Sequence, residues 1–168
     1  MAYAETLAWL KREKTIRKHV KDRGETIYGA RSIKKQIGGI GRPTFDFDIL
    51  SKQPKKSIKI LEKNFNKKAG GDFYFTKPAL HKGTYKLIHK GVDRKKETQD
   101  DIHIVDMTKP DRKYKTVLIN GIKYSAMSEE IKNKRTSLAS KEFAFRHDKD
   151  TKDFNRIKMS KRMKRLGV

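Results

Sequence analysis

Acidic side chains alternate with apolar ones from Phe45 to Ile49, within Thr44-Phe45-Asp46-Phe47-Asp48-Ile49-Leu50. A period of two over a short stretch is the mark of a half-buried β-strand. Successive side chains of a strand point to opposite faces, so Asp46 and Asp48 share a face, with Cα atoms roughly 6–7 Å apart. Phe45, Phe47 and Ile49 take the other face and are expected to be buried. Two carboxylates standing over a folded core are a way to hold a divalent cation.

The charge of the chain says what that cation would meet. Forty-three Lys and Arg oppose twenty Asp and Glu, a net +23 over 168 residues. Such a surface attracts polyanions over about a Debye length and repels itself without them. Nucleic acid is the first candidate partner. Anionic lipid is weaker, because no basic helix has the apolar face that lying on a membrane requires. Only 35% of residues are hydrophobic and 38% are charged, so the core is expected to be thin, although its residues fall in periodic segments.

There is no cysteine, which excludes disulfides and thiolate metal sites. No apolar run approaches the roughly 18 residues of a membrane span, so no membrane association is expected. The first residues lack the basic and apolar regions of a signal peptide. A cytoplasmic protein, or one packaged in a virion, is the expectation.

Residues from about 4 to 22 read as a helix with Trp9, Ile16 and Val20 on its apolar stripe, ended by Gly24. Thr26-Ile27-Tyr28 reads as a short strand leading into a turn at Gly29, then a short helix with Ile33 and Ile37 on one side. Gly38 to Pro43 is a loop without the lysine or spacing of a phosphate-binding glycine loop. Ser51 to Lys68 reads as a helix with Pro54 in its first turn and Gly70-Gly71 at its end. Strands are expected at Asp72–Phe75, Thr84–His89 and Ile102–Asp106, and Asn120-Gly121 marks a hairpin within Val117–Tyr124. Helical pattern returns over Ser128 to about Leu138 and about Asp148 to Arg162. The fold class is α+β, a mixed sheet flanked by helices with a basic C-terminal helix. The organisation expected is a single domain over 1–168: a helix over 1–24, a sheet core over 25–127 and a basic helical segment over 128–168.

Asp106, late in its strand, is a third carboxylate. Two metal ions about 3.5–4 Å apart need several hard oxygen ligands, and three aspartates from two adjacent strands could supply them. The order of elements and motifs resembles the DNA polymerase β-like nucleotidyltransferase superfamily, and within it the small prokaryotic and viral members, including the AbiE-type toxin group. The residues carrying the likeness are Tyr28-Gly29-Ala30-Arg31, Arg42-Pro43-Thr44-Phe45-Asp46-Phe47-Asp48, Ile104-Val105-Asp106 and Arg146-His147-Asp148-Lys149-Asp150-Thr151-Lys152-Asp153. The last is similar to an Arg-x-x-Lys-Asp-x-x-Asp segment of that group.

The resemblance implies transfer of a nucleoside monophosphate from a nucleoside triphosphate to a hydroxyl, with Mg²⁺ or Mn²⁺ as cofactor. Asp46 and Asp48 would bind the metals, and Asp106 would complete the site and act as, or orient, the base. Gly29, Ala30, Arg31 and Ser32 would face the nucleotide, with Ser32 standing in for a turn hydroxyl that Ala30 lacks. Arg146 and Lys149 would approach its phosphates, and Asp150 would orient Lys149. The charge favours RNA over a small acceptor, and Lys158, Lys161, Arg162, Lys164 and Arg165 would contact it. Viral or toxin-system proteins are further expected partners.

Plainer readings stand beside these. Aspartates in so basic a chain often serve only as lysine partners. Arg146 with Asp150 and Lys149 with Asp153 have the spacing of helix-surface ion pairs, worth about 0.2–0.5 kcal/mol each. The five histidines show no zinc spacing. Tyr74, Tyr85 and Tyr114 suit strand packing as well as base stacking. The rival to an enzyme is a catalytically inert protein of the same fold that binds nucleic acid or builds a virion.

Overall fold

The computed structural model of the chain describes residues 2–166. Met1, Gly167 and Val168, which the expected segments include, lie outside the described residues. Five α-helices and seven strands follow in the order α1 (Ala2–Arg23), β1 (Thr26–Tyr28), α2 (Gly29–Ile37), β2 (Phe47–Leu50), α3 (Pro54–Ala69), β3 (Tyr74–Pro78), β4 (Thr84–His89), β5 (Ile102–Thr108), β6 (Thr116–Ile119), β7 (Ile122–Ser125), α4 (Met127–Ala139) and α5 (His147–Leu166). Short 3-10 turns precede β2 and α5, at Gly38–Ile40 and Lys141–Arg146.

The strands form one mixed sheet in the order β3-β4-β5-β2-β1-β7-β6. Two of its pairings are parallel, β2 with β5 and β1 with β7, and the others antiparallel. The Asn-Gly turn joins β6 to β7 with φ of 53° at Asn120 and 75° at Gly121. Both central residues are left-handed, as a two-residue hairpin that matches strand twist demands.

The core lies on one face. Ile16 and Val20 of α1 and Ile58, Leu61 and Phe65 of α3 pack on Phe47, Ile49, Leu87, Val105, Met107 and Tyr124 of the sheet. On the other side, α4 packs on α5, and α2 on both. Alternation along β2 then sends Asp48 away from the apolar core, toward the side these three helices occupy.

Strand β2 is shorter than its sequence pattern. Residues Thr44 to Asp46 do not join the ladder, and Phe45 is 74% exposed instead of buried. The cause is Arg31. Its Nε donates to the Asp46 carbonyl at 2.7 Å and its Nη2 to the Thr44 carbonyl at 3.1 Å, so a guanidinium replaces a neighbouring strand there. The same guanidinium lies 3.6 Å from the centre of the Phe47 ring.

Candidate active site

Parallel pairing of β2 with β5 sets Asp48 directly opposite Asp106. Residues in register on neighbouring strands point to the same face, so two of the three expected carboxylates meet. Asp46 stands two positions before Asp48, just outside the strand, and its carboxylate accepts a bond from the Thr44 hydroxyl. The charges of Asp46 and Asp106 both act on Asp48. Burial first, then the negative charges of Asp46 and Asp106, push the Asp48 carboxyl up to about 6. Asp46 suffers burial too, but the Thr44 bond holds its carboxyl below the usual range.

The two cations expected from the C-terminal segment bear on this point. Arg146 and Lys149 both favour the ionised form of Asp48, and both are exposed. Lys86, which the sequence did not single out, is the register partner of Asp106 on β4. Pairing therefore runs Asp48, Asp106, Lys86 and Lys77 across four strands.

His103 is a second residue missed. Its Nε2 lies 3.1 Å from Asp106 Oδ1. Residues three apart in a regular strand face opposite ways, but β5 is irregular here: Leu87 pairs with Val105 while Ile88 pairs with His103. The unpaired residue between them resets the alternation. Against the effect of burial, the bond that its ring donates to Asp106 raises the His103 imidazole above its ordinary value.

Gly29 opens α2 with φ of +69°, and a Cβ there would sit 2.6 Å from Asp48 Oδ2. Only glycine permits both that backbone and that approach. Its N–H, expected to face a nucleotide, donates to Glu130 Oε1 at 3.0 Å. Glu130 is 1% exposed on α4, and burial pushes its carboxyl up to about 7.

Three further expectations need correction. The Ser32 hydroxyl is buried and donates to the Ser125 carbonyl at 2.6 Å, so it ties α2 to β7 and does not replace a turn hydroxyl. Arg31 is committed to the carbonyls of residues 44 and 46, and Ala30 is buried beside it. Asp150 does not orient Lys149. It accepts bonds from Lys134 Nζ and the Ser137 hydroxyl, both at 2.6 Å. Lys134 also reaches Asp153 at 3.1 Å, and Asp153 is met by Arg42 at 3.3 Å and Arg156 at 3.5 Å, in place of Lys149. Against burial, Lys134 and Ser137 hold the Asp150 carboxyl below its ordinary value. Arg146 keeps a long contact of 4.0 Å to Asp150. No sequence signal marks Lys134; its partners lie 16 and more residues away.

The basic cluster Lys158, Lys161, Arg162, Lys164 and Arg165 is exposed along α5, with no acid beyond Asp153. Tyr74 is buried between Phe65 and His89, and Tyr85 packs against the core, so these two serve packing.

Among the described residues no three acidic or histidine side chains converge into a finished metal cage. The donor chemistry nevertheless suits a hard cation: Asp46, Asp48 and Asp106 carry carboxylate oxygens, and burial first, then the charges of Asp46 and Asp106, push the Asp48 carboxyl up. In the present arrangement Thr44 engages Asp46 and His103 engages Asp106.

No protein-family model and no curated protein sequence matches the chain. Solved structures do. The Megavirus polyadenylate synthase matches with a TM-score of 0.70 at 20% identity, over 94% of this chain and 32% of that one. JHP933 from Helicobacter pylori and a candidate nucleotidyltransferase from H. pylori each match with a TM-score of 0.53 at 14% identity, over 83% of this chain and 59% and 61% of theirs. The chain therefore spans about a third of the viral protein, 32%, and about three fifths of the bacterial ones. At these identities the likeness is one of architecture: the chain has the nucleotidyltransferase-like α+β fold.

Proposed function

We propose that the chain transfers a nucleoside monophosphate from a nucleoside triphosphate to a hydroxyl of a polyanionic acceptor, RNA before any other. The observation that carries this reading is the register pairing of Asp48 with Asp106 beside the close approach of Gly29. The fold likeness to a polyadenylate synthase supports it.

In this reading Asp46, Asp48 and Asp106 would hold Mg²⁺ or Mn²⁺, which when bound would lower the pKa of the attacking hydroxyl and neutralise charge on the leaving phosphate oxygens. Asp106 takes the proton of the acceptor hydroxyl as the new oxygen–phosphorus bond forms at the α-phosphate. The bond to the β-phosphate oxygen breaks, and pyrophosphate leaves. Arg146, Lys149 and Lys86 offset its charge, and His103 orients Asp106. Catalysis of phosphoryl transfer is mostly such positioning and charge compensation.

The net +23 and the exposed cations of α5 support RNA as acceptor. Among the described residues no helix is long and apolar enough to cross a membrane. Cytoplasmic or virion location and viral or toxin-system partners remain part of the proposal.

Incubation with labelled nucleoside triphosphates, Mn²⁺ and total RNA tests the reading. Incorporation that Asp48→Ala abolishes supports it. RNA binding without incorporation supports the second reading, an inert nucleic-acid-binding member of the fold. One observation favours that rival: the Gly29 N–H is already bonded to Glu130.

A further inference from the structure

Phe45 stands one residue before Asp46, yet 74% of it is exposed. A lone exposed aromatic asks for no ligand by itself, but this one stands at the rim of a groove lined by cations. The ring is not loose. Arg31 donates to the carbonyls on either side of it, those of Thr44 and Asp46. The Phe45 ring also meets Trp9 edge-on, with centroids 5.9 Å apart and planes at 77°.

Beside it opens a groove of about 500 Å³ between α1, α2 and the 43–45 loop. That volume lies within the range of small-ligand sites, about 300–1,000 Å³. Arg17, Arg31, Lys34 and Lys35 line it, against one acid, Glu13. Glu13 is itself paired with Arg17 at 2.6 Å and Arg31 at 3.5 Å. The net field in the groove therefore favours an anion, and the aromatic ring favours a flat unpaired base.

We propose that this groove holds the last unpaired nucleotides of a single-stranded nucleic acid, with a base stacked on Phe45 and phosphates against Lys34 and Lys35. The strand runs on past the end of β2, so its terminal hydroxyl comes toward Asp46 and Asp106. Only this last step rests on the nucleotidyltransferase reading; binding does not. A duplex fits poorly, because its bases are already stacked and turned inward.

The test uses the full chain and a single-stranded RNA of about twelve nucleotides, within the site sizes such surfaces cover. Anisotropy of labelled RNA gives affinity, and emission of Trp9, the chain's one tryptophan, reports on the groove directly. Phe45→Ala is expected to weaken single-strand binding on the order of tenfold and leave duplex binding unchanged. Replacing both Lys34 and Lys35 by Ala should lower the slope of log affinity against log salt by about 1.4, two single-strand phosphate contacts. Native Trp9 emission should change on RNA addition and not on addition of the same duplex.

Unchanged single-strand affinity in Phe45→Ala overturns the proposal. So does equal loss for duplex and single strand, or a Trp9 response to nucleoside triphosphate alone that RNA does not displace. Binding that follows these expectations in a chain without incorporation defeats the enzyme reading and keeps the groove. Incorporation whose acceptor KM ignores Phe45→Ala does the reverse.

Discussion

Two clusters of aspartates lie on the side of this sheet that α2, α4 and α5 occupy, and they are built to opposite rules. Around Asp150 and Asp153, each 1% exposed, the acids are matched: Lys134 touches both, and Arg42, Arg156 and Ser137 complete the set. The Asp150 carboxyl accordingly sits below its ordinary value. Around Asp48, burial and then the charges of two more carboxylates drive its carboxyl up to about 6, with only the exposed Arg146 and Lys149 acting the other way. A matched cluster is finished and serves the fold. An unmatched one costs stability, and its retention points to something from outside that completes it.

The largest test breaks the matched cluster. Lys134→Met leaves two buried carboxylates without their shared cation, and denaturant unfolding should show a loss of about 3–5 kcal/mol. A loss under about 1 kcal/mol would mean that Arg42 and Arg156 suffice and that the contrast is weak.

Next comes the opposite experiment. Asp48→Asn should stabilise the fold at neutral pH while abolishing the proposed incorporation. A folded-state rise from 3.8 to about 6 corresponds to about 3 kcal/mol, at most, against the ionised native state. The raised pKa fixes the sign: native Asp48 is unpenalised below about pH 4, and its penalty grows as pH rises through about 6. The gain of Asp48→Asn should therefore appear in thermal melts at pH 7 and vanish near pH 3.5.

Cation addition sharpens the same comparison from the other side. Mn²⁺ or Mg²⁺ at tenfold above its dissociation constant should stabilise the native chain by about 1.4 kcal/mol. Asp48→Asn should lose that response, and Lys134→Met should keep it. The smallest effect belongs to His103→Gln, below about 1 kcal/mol. Because the His103 imidazole is raised in the fold, its contribution is present below about pH 6.5 and fades as pH climbs through the folded value. A pH-independent difference would show that Asp106 is not its partner.

What the chain discloses in one dimension follows the range of the interactions. β1, β4 and the Asn120-Gly121 hairpin have their expected limits or turn, because period two and turn chemistry are local. α1, α3, α4 and α5 are legible to within a few residues for the same reason. The placing of Asp106 beside Asp48 was legible only through likeness, since register between strands 58 residues apart has no local signature. Phe45 was misread because its strand ends where Arg31, 13 to 15 residues earlier, takes the backbone. Lys134 and Glu130 escaped notice because each looks like an ordinary charge on a helix until α4 is packed.

The irregularity in β5 bears on how relatives of this chain are to be sought. Counting by twos along Ile102 to Thr108 places the imidazole and the carboxylate on separate sides, whereas the folded strand puts them 3.1 Å apart. A distant sequence that keeps both the irregularity and this partnership should therefore show an odd interval between its histidine and its aspartate. One that loses the unpaired residue, and with it the irregularity, would instead hold the same pair two positions apart on one face of a regular strand.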